Sequence, residues 1–389
     1  MINPIITSLL DTDIYKLHMQ QAVWHQYPQS NVTLEFVCRN NEDLLPYLSQ
    51  IQYQIELLKS LKLTDDEHQY LSELGFYKAD YLDYLSGYVF DPNQVAIFVK
   101  NNELKIEIRG LWHQVILWEV PILAIVSEVS NKQKHPNIGF QCAEKRLASK
   151  LAFLKESKVN KLNMIDFGTR RRFSKVVHEN VIKTLIDQIP NHFIGTSNLY
   201  FAKKFNISPI GTQAHEWFQA HQRLVDDLPR FQNLALHAWL KEYPKQLGIA
   251  LTDCISMDCF LRDFDFDLAQ TYQGLRQDSG DPIKWGKKAL QHYFDLGINY
   301  KDKTFVFSDA LTIPKAIEIH DYFKDKINTC FGIGTNLTCD IPSVTPMNIV
   351  IKMTECNDLT VAKISDSPGK LICRDFEYIQ KLENIFCLN

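Results

Sequence analysis

The chain has 389 residues, of which 45% are hydrophobic and 23% charged, and a formal net charge of -4. Domains usually run to about 100–200 residues, which excludes one small core and favours two domains, or a barrel with an appended domain. The slight acidity argues against a general nucleic-acid binder, so anionic ligands must be held by local clusters rather than by a global field.

The N-terminal stretch MINPIITSLLDTDIYKLHMQ lacks a basic start followed by an apolar run, so no signal peptide is expected. Residues 13–25 read as a helix, 33–37 alternate like a strand, and 44–61 carry helical apolar spacing. Residues 95–99 and 104–108 read as two strands around Asn101-Asn102. The most apolar stretch, 115–129, is interrupted by Glu119, Pro121 and Glu128. It reads as too short and too charged to span a bilayer, and as a buried strand running into a core helix.

From residue 162 short apolar runs alternate with longer amphipathic stretches. The runs are 162–165, 193–195, 207–211, 249–252, 274–276, 304–307 and 329–332. Such alternation implies a parallel sheet, and so many repeats imply a closed β/α barrel. The tail holds two strand-like runs, 348–354 and 359–364, around Asn357-Asp358, which are expected to return to the first domain. The nine cysteines are scattered and form no CxxC, unlike a disulfide framework or a zinc site, so a reducing cytosol is expected.

In a β/α barrel the chemistry sits just past the strand ends. The first run is followed by Asp166-Phe167-Gly168-Thr169-Arg170-Arg171-Arg172, three forks suited to phosphate or carboxylate. Arginines at a helix start oppose the dipole, so an anion is the better explanation than a solvated charged face. Ser197 follows the second run and His215 the third. The next histidine after His215-Glu216 is His221, which does not give two ligands at i and i+4, so a zinc-protease helix is rejected. Asp253 and Asp258 follow the fourth run, Arg276, Asp278 and Asp281 the fifth, and Asp309 the sixth. Carboxylates here suit Mg²⁺ or ribose hydroxyls, although Ser279-Gly280-Asp281 alone also fits an Asp-capped turn. Gly332-Ile333-Gly334-Thr335 follows the seventh run, where glycines let backbone amides approach a phosphate. Together these ends suit a ligand with a sugar, two separate phosphate groups and a flat ring.

The segments DTDIYKLHM, DFGTRRRFS, GTSN, GTQAHEW, GLRQDSGDP, FSDAL and FGIGTNLTCDIP, in that order and spacing, resemble the nicotinate phosphoribosyltransferase family of the bacterial type. The resemblance covers essentially the whole chain. It implies an irregular β/α barrel over residues 136–345, an α+β N-terminal domain over 1–135, and a segment, 346–389, that returns to the N-terminal domain. It implies transfer of phosphoribose from 5-phosphoribosyl 1-pyrophosphate to nicotinate, as the entry step of NAD salvage in the cytoplasm. ATP and Mg²⁺ are the implied cofactors, with a transient phosphohistidine at His215. Phe167 and Tyr15 would sandwich the pyridine ring, with Tyr15 from the same chain or from a partner subunit of a homodimer. Arg170 would face the ring or its carboxylate. Asp253, Arg276 and Asp278 would hold ribose and phosphates, Gly334 and Thr335 the 5′-phosphate, with Asp309 nearby. Nicotinamide-using relatives carry an aspartate where Ser197 stands, and a serine does not repel a carboxylate, so the acid is the expected substrate.

Two rivals stand beside this reading. A quinolinate-type transferase would need no ATP, and a nucleotide-sensing protein would have a dead site. No metal ligand set is fixed by the sequence. Lys363 and the turn Ser365-Asp366-Ser367-Pro368-Gly369-Lys370 are further candidates for the site.

Overall fold

A computed structural model describes residues 3–367 and 369–388. Pro368 of the tail turn, and Met1 and Ile2 of the N-terminal stretch, lie outside the described residues.

Two sheets organise the chain. The first is antiparallel, in the order β11-β10-β1-β3-β2. Its strands are β1 (Asn31–Cys38), β2 (Val95–Lys100), β3 (Glu103–Leu111), β10 (Ile349–Cys356) and β11 (Leu359–Thr360). The two tight hairpins turn on Asn101-Asn102 and Asn357-Asp358, all with φ between 51° and 59°. Asn and Asp tolerate that left-handed region, which matches the twist of paired strands. The tail thus comes back to the first sheet, with Val32 opposite Cys356 and Cys38 opposite Ile349.

The second sheet is parallel, in the order β5-β4-β9-β8-β7-β6. It comprises β4 (Met164–Asp166), β5 (Phe193–Thr196), β6 (Ile249–Leu251), β7 (Gly274–Gln277), β8 (Thr304–Phe307) and β9 (Asn328–Ile333). Residues 207–211 do not form the seventh strand. Pro209 has no N–H, so the ladder fails there. The segment instead gives a single parallel bridge, Thr196 to Pro209, with Ile210 N donating to Thr196 O at 2.8 Å. On its far side Thr212 Oγ1 donates to Ile249 O at 3.0 Å. It therefore fills the gap between the β5 and β6 edges, and the barrel closes irregularly.

The stretch 115–129 contains no strand. The chain is helical from Trp112 to Lys134, with one 3₁₀ turn at Ile116–Trp118. By length and composition this run could cross a membrane, contrary to the sequence expectation, yet 94% of its apolar window is buried inside the protein. A helix buried all round carries no amphipathic period, which is why its apolar run looked like a strand. The helix Ile14–Gln26 packs against it and begins at Asp13, whose carboxylate does not cap the helix and is free for other partners.

Candidate functional site

A cavity of about 630 Å³ opens at the C-terminal ends of the barrel strands, roofed by β10 and the start of the Ile14–Gln26 helix. Tyr15, Phe167, Arg170, Ser197, His215, Arg276, Asp278, Asp309, Gly334 and Thr335 all line it, Phe167, Ser197, Asp278 and Gly334 just past strand ends and Tyr15 from the first helix. Asp253 stands one layer behind, on His215. Tyr15 lines the cavity within its own chain. Asp258 lies apart, in an exposed pair with Lys288.

His215 opens the helix His215–Leu224. Its Nε2 lies 2.8 Å from Asp253 Oδ1 and 3.8 Å from Asp278 Oδ2. Burial, with Lys363 nearby, pushes the His215 imidazole down to about 4, so it is neutral at physiological pH. Burial alone would raise Asp253, but His215, Lys363 and the Ser279 hydroxyl hold it well below the usual carboxylate range. Its Oδ2 accepts from Ser279 Oγ at 2.7 Å, Lys363 Nζ at 3.0 Å and Ser365 Oγ at 3.3 Å. An anchored carboxylate on Nε2 fixes the proton there and leaves Nδ1 as the lone-pair nitrogen. Among the described residues Nδ1 has no hydrogen-bond partner.

The three arginines do three different jobs. Arg170 lines the cavity, held loosely by Asp13 at 3.7 Å and Glu119 at 3.5 Å. Arg171 donates through Nε to Ile349 O at 2.9 Å and also lines the cavity. Burial and the neighbouring Arg170 and Arg39 lower it to about 10, the mark of crowded cations that an anion would relieve. Arg172 does not reach the cavity. It is fully buried and forks onto Asp11 at 2.8 and 2.9 Å, because successive residues of the Thr169–Arg171 turn and the extended Arg172 point in different directions.

Asp278 takes a hydrogen bond from Ser308 Oγ at 2.8 Å through Oδ1. Burial opposes its ionisation, but Arg276 and His215 overcome this and lower it. Lys370 Nζ donates to Asp309 Oδ1 at 2.7 Å and to Asp278 O at 2.9 Å, so the tail turn latches two barrel loops. The nearest atoms of His215, Asp253 and Asp278 lie within 4.8 Å of one another. The glycines after β9 serve a purpose the sequence reading missed. A Cβ on Gly332 would meet the Phe167 ring at 2.3 Å, and one on Gly334 would meet Phe167 O at 2.9 Å. Gly332 makes room for the Phe167 ring, and Gly334 for the Phe167 backbone.

Ser197 is not an unengaged hydroxyl. Its Oγ donates to Asp13 Oδ1 at 2.8 Å, and Tyr15 OH donates to Asp13 Oδ2 at 3.3 Å. A carboxylate therefore does stand at this end of the cavity, although burial raises the Asp13 carboxyl. The sequence argument from Ser197 has to be shared with Arg170, the cation beside Asp13.

The strand-end rule also missed Arg39, Glu119 and Lys352. Lys352 enters from β10 and forms no ion pair among the described residues. Burial, together with Arg170 and Lys363 against the attraction of Glu119, lowers its ammonium to about 8. Glu119 left one legible signal, a carboxylate inside the most apolar stretch of the chain.

Three buried histidines link this architecture to pH. Burial lowers His18 to about 3, and His215 and His221 to about 4, from 6.5. Between those values the unfolded chain binds protons that the folded chain refuses, so the histidines' contribution to stability falls on acidification and is flat above pH about 6.5. The slope is up to ~1.4 kcal/mol per pH unit per histidine. Burial raises Asp263 and Asp366 to about 6, which opposes the trend with two groups, Asp366 exposed, against three buried ones. The urea midpoint at pH 5 is expected to lie below that at pH 7; an unchanged or higher midpoint contradicts this.

A parallel barrel with a cation-rich cavity, a neutral histidine on a fixed carboxylate and an aromatic wall defines an enzyme acting on a phosphorylated small molecule. Residues 162–389 match the family described as "Nicotinate phosphoribosyltransferase (NAPRTase) family", and residues 10–127 match its N-terminal domain. The chain is 51% identical to nicotinate phosphoribosyltransferase of Yersinia enterocolitica over 99% of this chain and 97% of that protein. It is 52% identical to that of Edwardsiella ictaluri over 100% and 97%. The crystal structure of nicotinate phosphoribosyltransferase from Vibrio cholerae superposes with a TM-score of 0.95 at 40% identity, covering 99% of this chain and 94% of that one. The chain belongs to the nicotinate phosphoribosyltransferase family, which sets aside the quinolinate-type and nucleotide-sensing readings.

Proposed function

We propose that the chain transfers phosphoribose from 5-phosphoribosyl 1-pyrophosphate to nicotinate, coupled to ATP cleavage through a phosphohistidine at His215. Nicotinate, 5-phosphoribosyl 1-pyrophosphate, ATP and water give nicotinate mononucleotide, pyrophosphate, ADP and phosphate. The His215–Asp253 pair carries this reading: a neutral imidazole whose one nitrogen is held by a buried carboxylate has the other available to take the γ-phosphoryl group.

Phe167 and Tyr15 bracket the pyridine ring, and the loosely held Arg170 takes its carboxylate. Arg276, whose buried Nε has no partner among the described residues, and Lys352 meet the phosphates. Displacement at the anomeric carbon passes through an oxocarbenium-like state, so the ring nitrogen needs positioning above all. Asp278 is the carboxylate suited to Mg²⁺, a hard cation that prefers oxygen, because its Oδ2 is not spent on a hydrogen bond. Mg²⁺ bound there would neutralise the leaving pyrophosphate.

Steady-state kinetics with both pyridines, with and without ATP, test the proposal. Nicotinate is expected to exceed nicotinamide in kcat/KM by about 100-fold or more, since a site built for a carboxylate leaves Arg170 unpaired with the amide. ATP is expected to lower the nicotinate KM. A preference for nicotinamide would overturn the substrate assignment, and indifference to ATP the coupling.

A further inference from the structure

Arg170 is joined to Glu216, the residue after His215, by a run of ion pairs through Glu119 and Lys16 that passes behind the cavity wall. Lys16, on the Ile14–Gln26 helix, has a fully buried side chain and does not line the cavity. Its Nζ contacts Glu119 Oε2 at 2.5 Å and also contacts Glu216 Oε2. Both carboxylates line the cavity and are 7% exposed. The second oxygen of each is committed elsewhere. Glu119 Oε1 reaches Arg170 at 3.5 Å, and Glu216 Oε1 accepts from Trp112 Nε1 at 2.5 Å. Glu216 is the residue after His215, in the first turn of the same helix.

We propose that Lys16 is a positioning residue that couples the state of His215 to the aim of Arg170, through Glu216 and Glu119. This rests on the ATP-coupled reading above. One ammonium shared by two buried carboxylates is a balance: whatever changes the charge beside one carboxylate changes its hold on the lysine, and so the lysine's hold on the other. Phosphorylation adds close to two negative charges beside Glu216. A nicotinate carboxylate adds one at Arg170. Lys16 is the one cation, among the described residues, in ion-pair contact with both Glu216 and Glu119. A lysine needed only for packing would have no reason to bridge two carboxylates that line one cavity, and burying three charges is costly unless each is paired.

The test compares wild type, Lys16→Met and Lys16→Arg in two measurements: phosphate incorporated from ATP, and nicotinate KM with and without ATP. In wild type the KM is expected to change about tenfold with ATP, within the usual range of site-to-site coupling. Lys16→Met, which keeps the length of the side chain and removes its charge, is expected to incorporate phosphate still, while the ATP-dependent change in KM shrinks to less than about twofold. Lys16→Arg is expected to restore most of it. A folded Lys16→Met with the full ATP effect on KM overturns the proposal, as does an arginine variant no better than methionine. If wild type itself shows no ATP effect, the coupled reading falls and this proposal with it, a different result from a variant-specific one. If Lys16→Met does not fold, Glu216→Gln, which keeps the shape and removes one charge of the run, takes its place under the same criteria.

Discussion

His215→Ala is expected to abolish ATP stimulation while leaving slow phosphoribosyl transfer. The His215 imidazole is 5% exposed, neutral, and fixed by Asp253 at 2.8 Å, which fits the proposed role of receiving a phosphoryl group. The groups proposed to hold the reactants, Phe167, Tyr15, Arg170, Arg276 and Asp278, lie around it, and of these Asp278 alone is in ion-pair range of the ring, at 3.8 Å. Removing the ring leaves Asp253 with Lys363, Ser279 and Ser365, so the buried carboxylate keeps three donors and the fold holds. ATP-dependent acceleration, about 10- to 100-fold for coupling of this kind, should drop to none. Product formation measured with and without ATP checks this; a variant that keeps its ATP effect removes His215 from the coupling.

Asp253→Asn is expected to be nearly as severe, and to cost stability as well. Asparagine keeps the shape but replaces one acceptor with an NH₂ donor. All four partners of Asp253 donate, namely His215, Ser279, Lys363 and Ser365. If the NH₂ faces His215, the ring must shift its proton to Nδ1 and blunt the nucleophile. If it faces Lys363, two donors meet in a buried site. The first outcome lowers the rate of His215 phosphorylation by about 10²–10⁴. Either outcome leaves Lys363, 4% exposed, without its counter-charge, at about 3–5 kcal/mol. Single-turnover phosphorylation and urea unfolding measure the two losses; a variant with wild-type phosphorylation contradicts the role given to Asp253.

Much of this site was legible because of where its residues stand in the chain. Six apolar runs became parallel strands, and the residue just past five of the ends lines the cavity, while Asp253 past the sixth stands behind His215. What stayed hidden has specific causes. Pro209 turned an apparent strand into a bridge. The helix around Glu119 is apolar on every side, so no period betrayed it. Lys352, Lys16 and Asp13 reach or support the site from β10 and from the first helix, elements that meet the barrel only in three dimensions; nothing local in IVIKMTEC or DTDIYK says which mouth they cover. Arg172 misled in the other direction. It shares a motif with Arg170, yet its partner Asp11 is 161 residues away in sequence.

The most direct test is mass spectrometry of the chain after brief exposure to ATP and Mg²⁺, under conditions that preserve phosphoramidates. One acid-labile phosphate on the peptide carrying His215, absent from His215→Ala and lost on adding nicotinate with 5-phosphoribosyl 1-pyrophosphate, is the predicted result. ATP consumed in step with nicotinate mononucleotide while His215 remains unmodified would contradict it.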